Sequence, residues 1–139
     1  MDGKIYIGWD SREDIAYKVA KKSIQDTSLK EYEIVPIQQN ILRKLKIYSR
    51  DADTLASTEF TFTRFLVPYL NKFKGWALFC DCDFLFLDDV STLFDMADKK
   101  YAVMLVKHNY KPKNKYKMDG KEQLIYPRKN WSSLVLWNC

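Results

Sequence analysis

The sequence is poor in cysteine, histidine, glycine and proline, with 3 Cys, 1 His, 4 Gly and 4 Pro among 139 residues. An odd and small cysteine count excludes a disulfide framework. So few glycines and prolines argue against the closely spaced turns of an all-β design. Apolar runs reach only four to six residues, against the roughly 18 a membrane-spanning helix needs. The opening MDGKIYIGWD lacks the basic-then-apolar pattern of a signal peptide, so the cytosol is the expected compartment. No Gly-x-Gly-x-x-Gly follows the first strand and no Walker loop is present. Any nucleotide phosphate must therefore be held in another way.

What is present is the material of a folded domain. Hydrophobic residues make up 47% and charged residues 29%, which excludes disordered and fibrous classes. The length suits one unit over residues 1–139. Charge is unevenly spread. Eight of the 23 basic residues fall between Lys107 and Lys129, against two acids, Asp119 and Glu122. The net charge of +5 thus belongs to a local patch. Asp119-Gly120 predicts a hairpin turn within that segment. Tyr110, Tyr116 and Tyr126 alternate with its lysines, a surface for an anionic glycan, a membrane face or nucleic acid.

Residues 4–9 read as a buried strand. Asp10 or Ser11 is expected to cap a helix, with Glu13 and Asp14 in its first turn and Ile15, Val19, Ala20, Ser23 and Ile24 on its apolar face. Tyr32–Ile37 reads as a second strand and residues 41–47 as a short helix. Thr58–Asn71 is expected to be a helix with Phe62, Phe65, Leu66 and Tyr69 as its stripe, tightened or kinked at Pro68. Trp76–Cys80 is a short apolar strand of the kind found inside parallel sheets. Ser91–Ala97 reads as a helix, with strands at Tyr101–Val106 and Ser133–Trp137. Alternating strands and helices predict an α/β fold with a mixed sheet and flanking helices.

The most informative stretch is Asp81-Cys82-Asp83, at the end of the apolar run Ala77–Cys80 and before Phe84–Leu87. In extended backbone residues 81 and 83 share a face. Two carboxylates in an apolar setting repel each other unless a hard cation joins them. Ligands of open α/β sheets bind at the carboxyl ends of strands. Spacing, location and surroundings agree on a divalent metal, Mn²⁺ or Mg²⁺, that would hold a diphosphate.

This stretch resembles the Asp-x-Asp motif of nucleotide-sugar glycosyltransferases with the GT-A fold, a Rossmann-like mixed sheet. Within them it is most similar to family 8, the galactosyltransferase and glycogenin-like group. Ile5–Asp10 resembles the strand lying along the nucleotide base. Thr61-Phe62-Thr63-Arg64-Phe65-Leu66 resembles the family's Tyr-x-Arg-Leu helix, and Asn130–Asn138 its later strand. The resemblance implies a metal-dependent, retaining sugar transfer from a UDP-sugar to an acceptor it does not identify. It implies that Asp81 and Asp83 bind the metal and that Gly8, Trp9, Asp10, Arg64, Asp81, Cys82 and Asp83 line the donor site. The family's third metal ligand, a His in His-x-x-Gly-x-x-Lys, has no counterpart, since His108 has different neighbours and reads as a loop or strand-end residue. Trp131 stands where the family has Asn. Family members continue for about another hundred residues, so the chain is expected to be C-terminally incomplete, with exposed apolar surface.

Two rival readings stay open. A haloacid-dehalogenase-like phosphatase also has Asp-x-Asp after an apolar strand, with the first Asp as nucleophile, though Phe84-Leu85 replace its usual small residues. A basic, non-catalytic nucleic-acid-binding α/β module rests on residues 107–129 alone. Cys80 and Cys82 read as small core residues more readily than as zinc ligands.

Overall fold

The structure, a computed structural model, describes residues 3–108 and 129–139. Strand β1 (Gly3–Gly8) leads through helix α1 (Asp14–Thr27) to strand β2 (Glu33–Ile37) and short helix α2 (Gln39–Lys44). A 3-10 turn at Thr63–Leu66 runs into helix α3 (Val67–Leu70) and strand β3 (Trp76–Cys80). Helix α4 (Ser91–Asp95) and strands β4 (Val103–His108) and β5 (Lys129–Asn138) complete it. The sheet order is β2-β1-β3-β5-β4. β1 is parallel to both neighbours, whereas β5 runs antiparallel to β3 and β4. The expected α/β class with a mixed sheet and flanking helices is the observed one.

Local chemistry explains this order. Pro36 has no backbone donor, and it sits on β2, an edge strand, where the missing bond costs least. All five residues of β3 are buried, as suits a strand covered on both faces. Tyr6 and Phe79 pair across β1 and β3 on one face. That face is covered by residues 60–71, with Phe60 packed on Phe79 and the Tyr6 hydroxyl donating to Asn71 Oδ1 at 3.1 Å. α4 covers the opposite face. Phe94 packs so tightly on Gly3 that a Cβ there would lie 2.1 Å from its ring. α1 joins this layer through Ser23, whose hydroxyl accepts the Phe86 N–H at 2.9 Å.

Three expectations need correction. α1 starts at Asp14, and the residue before it, Glu13, makes no side-chain cap bond. Asp10 and Ser11 instead form the turn leading in, so neither is the helix cap. Ile15 and Val19 are exposed, and the buried face of α1 is Ala20, Ser23 and Ile24. Residues 58–71 do not form one helix. Pro68 cannot continue a preceding α-helical ladder, and the segment is a 3-10 turn followed by one turn of α-helix. Its buried side chains are Phe60, Thr63, Arg64 and Val67, while Phe65 and Tyr69 face outward. The stripe is shifted because Arg64 occupies a core position.

Residues 109–128 lie outside the described residues, and with them the Asp119-Gly120 turn and most of the basic segment. Pairing of His108 with Lys129 joins the segment's two ends, so His108 is a strand-end residue. Among the described residues no helix is long and apolar enough to cross a membrane.

Candidate functional site

From β1 the chain crosses to β2 on one side and then returns to β3 on the other. The carboxyl ends of β1 and β3 therefore flank a topological switch point, where a crevice opens in doubly wound sheets. Gly8-Trp9-Asp10 leaves one side of it and Asp81-Cys82-Asp83 leaves the other.

On the β1 side the polar groups answer one another. Gly8 lies under the Phe60 ring, and a Cβ there would come within 2.5 Å of it. Its lack of a side chain is thus required by packing. Trp9 is half-buried and its indole N–H donates to Asp14 Oδ1 at 3.0 Å. The Asp10 side chain is fully buried. Its Oδ1 accepts the Arg12 N–H at 2.9 Å and Arg12 Nε at 3.0 Å. Its Oδ2 accepts Arg12 Nη2 at 2.9 Å and the Glu59 N–H at 3.1 Å. Arg12 also donates to the Ser57 carbonyl, and Ser11 donates twice to the Glu59 carboxylate. Asp10 so pins residues 57–59 over the strand exit. The bonds from Arg12 hold its carboxyl down at about 2, against the effect of burial.

On the β3 side the balance is reversed. The Asp81 side chain is 22% exposed and Arg64 Nη1 lies 3.0 Å from its Oδ1. That approach is a charge pairing without an aligned hydrogen bond, since Oδ1 is buried and finds no hydrogen-bond partner. Arg64 directs its aligned bonds elsewhere, from Nη1 to the Ser132 carbonyl at 2.7 Å and from Nε to the Phe60 carbonyl at 3.3 Å. Its guanidinium also lies over the Phe60 and Phe79 rings. Burial pushes the Asp81 carboxyl up to about 7. Arg64 pulls it down, and the Asp83 and Glu13 carboxylates push it further up. Burial likewise lowers Arg64. The Asp81 charge is the one left poorly compensated by the protein alone.

β3 ends at Cys80, and residues 82 and 83 form a turn. The shared face of Asp81 and Asp83 therefore cannot be argued from strand alternation. Asp83 is exposed at the turn while Asp81 points into the protein's interior edge. Cys82 is buried between them and its thiol donates to Glu13 Oε2 at 3.2 Å. Burial, with the bond to Glu13, pushes that thiol well above the usual range. Cys80 and Cys82 are both free thiols, and Cys82 lies in the turn rather than on the strand's far face. Glu13 and the Ser132 carbonyl were not legible as site groups. Glu13 meets Cys82 across 69 positions and Ser132 meets Arg64 across 68, where no local period reaches.

These residues fit a hard divalent cation. Asp81 and Asp83 supply only oxygen donors, and the buried Asp81 Oδ1 lacks the hydrogen bond that a finished structural carboxylate would have. Among the described residues no group of three or more His, Cys, Asp or Glu is placed to hold an ion. Among the described residues this arrangement offers two carboxylates.

The sheet with this crevice is a glycosyltransferase-type α/β fold. It matches the bifunctional glycosyltransferase WbbM in its apo form with a TM-score of 0.65, over 99% of this chain and 31% of that one. Identity is 15%, so the likeness is one of fold. In sequence the chain is similar to Protein CDI of Arabidopsis thaliana, 54% identical over 136 residues. The match covers 98% of this chain and 52% of Protein CDI, so the chain spans about half the length of that curated relative. No family model matches the chain.

Proposed function

We propose that residues 1–139 form the donor-binding unit of a metal-dependent glycosyltransferase that takes a sugar from a nucleoside diphosphate carrier. Asp81 carries the reading. Its Oδ1 is buried without an aligned partner, at the carboxyl end of a central strand, beside Asp83, in a fold shared with a glycosyltransferase. The resemblance to family 8 adds UDP as carrier and retention at the anomeric carbon.

A divalent cation, Mn²⁺ or Mg²⁺, supplies charge neutralisation for a departing diphosphate. Asp81 and Asp83 would hold it through their carboxylate oxygens. Arg64 braces Asp81 against the Phe60 and Phe79 rings and links it to β5. Cys82 keeps the turn between the acids buried. Gly8, Trp9 and Asp10 edge the nucleoside side, with Asp10 acting through the loop it pins. The protein's part is to orient the donor and keep water from it. The excess of lysine and arginine in the segment 107–129 suits an anionic acceptor.

Calorimetric titration of UDP, with and without Mn²⁺, tests this reading on the chain and on the Asp81→Ala/Asp83→Ala variant. Binding that needs Mn²⁺ and disappears in the variant is the expected result. Equal binding by both proteins would sink the proposal.

A further inference from the structure

The turn between the two acids is tied to the β1 exit by a side-chain bond. The Cys82 thiol donates to Glu13 Oε2 at 3.2 Å, from the β3 exit to the residue preceding α1. Cys82 is 1% exposed, and Glu13 is half-buried. Glu13 makes no side-chain bond to cap its own helix. A carboxylate here is repelled by the acids nearby, so its placement calls for the donor that Cys82 provides. Cys82 is also the only residue between Asp81 and Asp83. Fixing its side chain fixes the turn that sets the spacing of the two carboxylates.

We propose that Glu13 is a positioning residue for the Asp81–Asp83 pair, acting through the Cys82 thiol and coupling the β1 exit to the acidic turn. The role in ligand binding rests on the donor-site reading above. A group that orients ligands from outside the coordination shell typically changes affinity by about 10–100-fold when removed. Glu13 acts as an acceptor, so Gln, which keeps an acceptor oxygen, preserves the effect. Ser at position 82 keeps a donor and does the same.

The test uses a Cys139→Ser background, because Cys139 is half-buried and would react, whereas Cys80 is fully buried. Labelling of Cys82 by a thiol reagent is followed by mass spectrometry alongside Mn²⁺-dependent UDP binding. Glu13→Ala should label faster than its parent and bind UDP about tenfold more weakly. Glu13→Gln should bind UDP like the parent and label more slowly than Glu13→Ala. Should Glu13→Ala unfold, exposing Cys80 as well, Cys82→Ala gives the same reading, weakening binding about tenfold while Cys82→Ser restores it. Unchanged labelling in Glu13→Ala overturns the inference, as does a Glu13→Gln that binds as poorly as Glu13→Ala. If the parent itself shows no Mn²⁺-dependent binding, the donor-site reading falls, and the labelling contrast still decides whether Glu13 holds the turn.

Discussion

Asp10 and Asp81 stand at the ends of neighbouring parallel strands, yet the protein treats them in opposite ways. Asp10 is enclosed and receives donors at both oxygens, two of them backbone N–H groups. Asp81 keeps 22% exposure, and Arg64, the cation beside it, directs its aligned bonds elsewhere. One carboxyl is held down at about 2 and the other is raised to about 7. A completed carboxylate builds the scaffold. An incomplete one is what the proposed cation site requires.

The sharpest way to break this contrast is to neutralise each aspartate without metal. Asp81 has a raised folded pKa, so its contribution to stability is present below about pH 4 and lost as pH rises toward 7. Asp81→Asn should therefore stabilise the metal-free chain at pH 8, by about 3 kcal/mol in urea denaturation, with little effect at pH 4. Destabilisation at pH 8 would mean that Arg64 already satisfies the carboxylate.

Asp10→Ala should have the opposite sign. It removes the acceptor shared by Arg12 and the Glu59 N–H and loosens the 57–59 loop. A loss of about 2 kcal/mol is expected, below the usual cost of breaking a fully buried pair because the Arg12 side chain is 50% exposed and can be rehydrated. A neutral effect would show that the bonds to Asp10 contribute little.

The smallest effect is the acid limb of the wild-type curve. The depressed pKa of Asp10 gives stability that is present above about pH 4 and lost as pH falls toward 2. Asp10→Ala should flatten that limb alone, and Asp81→Asn only the limb between 4 and 7. Denaturant midpoints across pH separate the two.

The sequence showed the Asp81 side of this comparison more readily than the Asp10 side. An apolar run that ends in two acids is a local signal, and β3 and its exit were readable from it. All five strands were anticipated, since burial on one or both faces leaves its period in the chain. In residues 58–71 an apolar stripe read from Phe62, Phe65, Leu66 and Tyr69 leaves out Arg64, which takes a buried position. In the fold Phe60, Arg64 and Val67 share the buried side, and Arg64 is accommodated there by two carbonyls, two ring faces and Asp81. The bond from Glu13 to Cys82 and the hold of Asp10 on residue 59 join distant positions, so neither could be seen before the sheet brought them together.

The most direct test of the contrast is a ¹³C carboxyl NMR titration of Asp10 and Asp81, with and without Mg²⁺. Asp81 should titrate near 7 in metal-free protein and move down when Mg²⁺ is added, while Asp10 titrates near 2 in both conditions. If Asp81 titrates near the ordinary value of about 4, or ignores Mg²⁺, it is not the open carboxylate of a cation site.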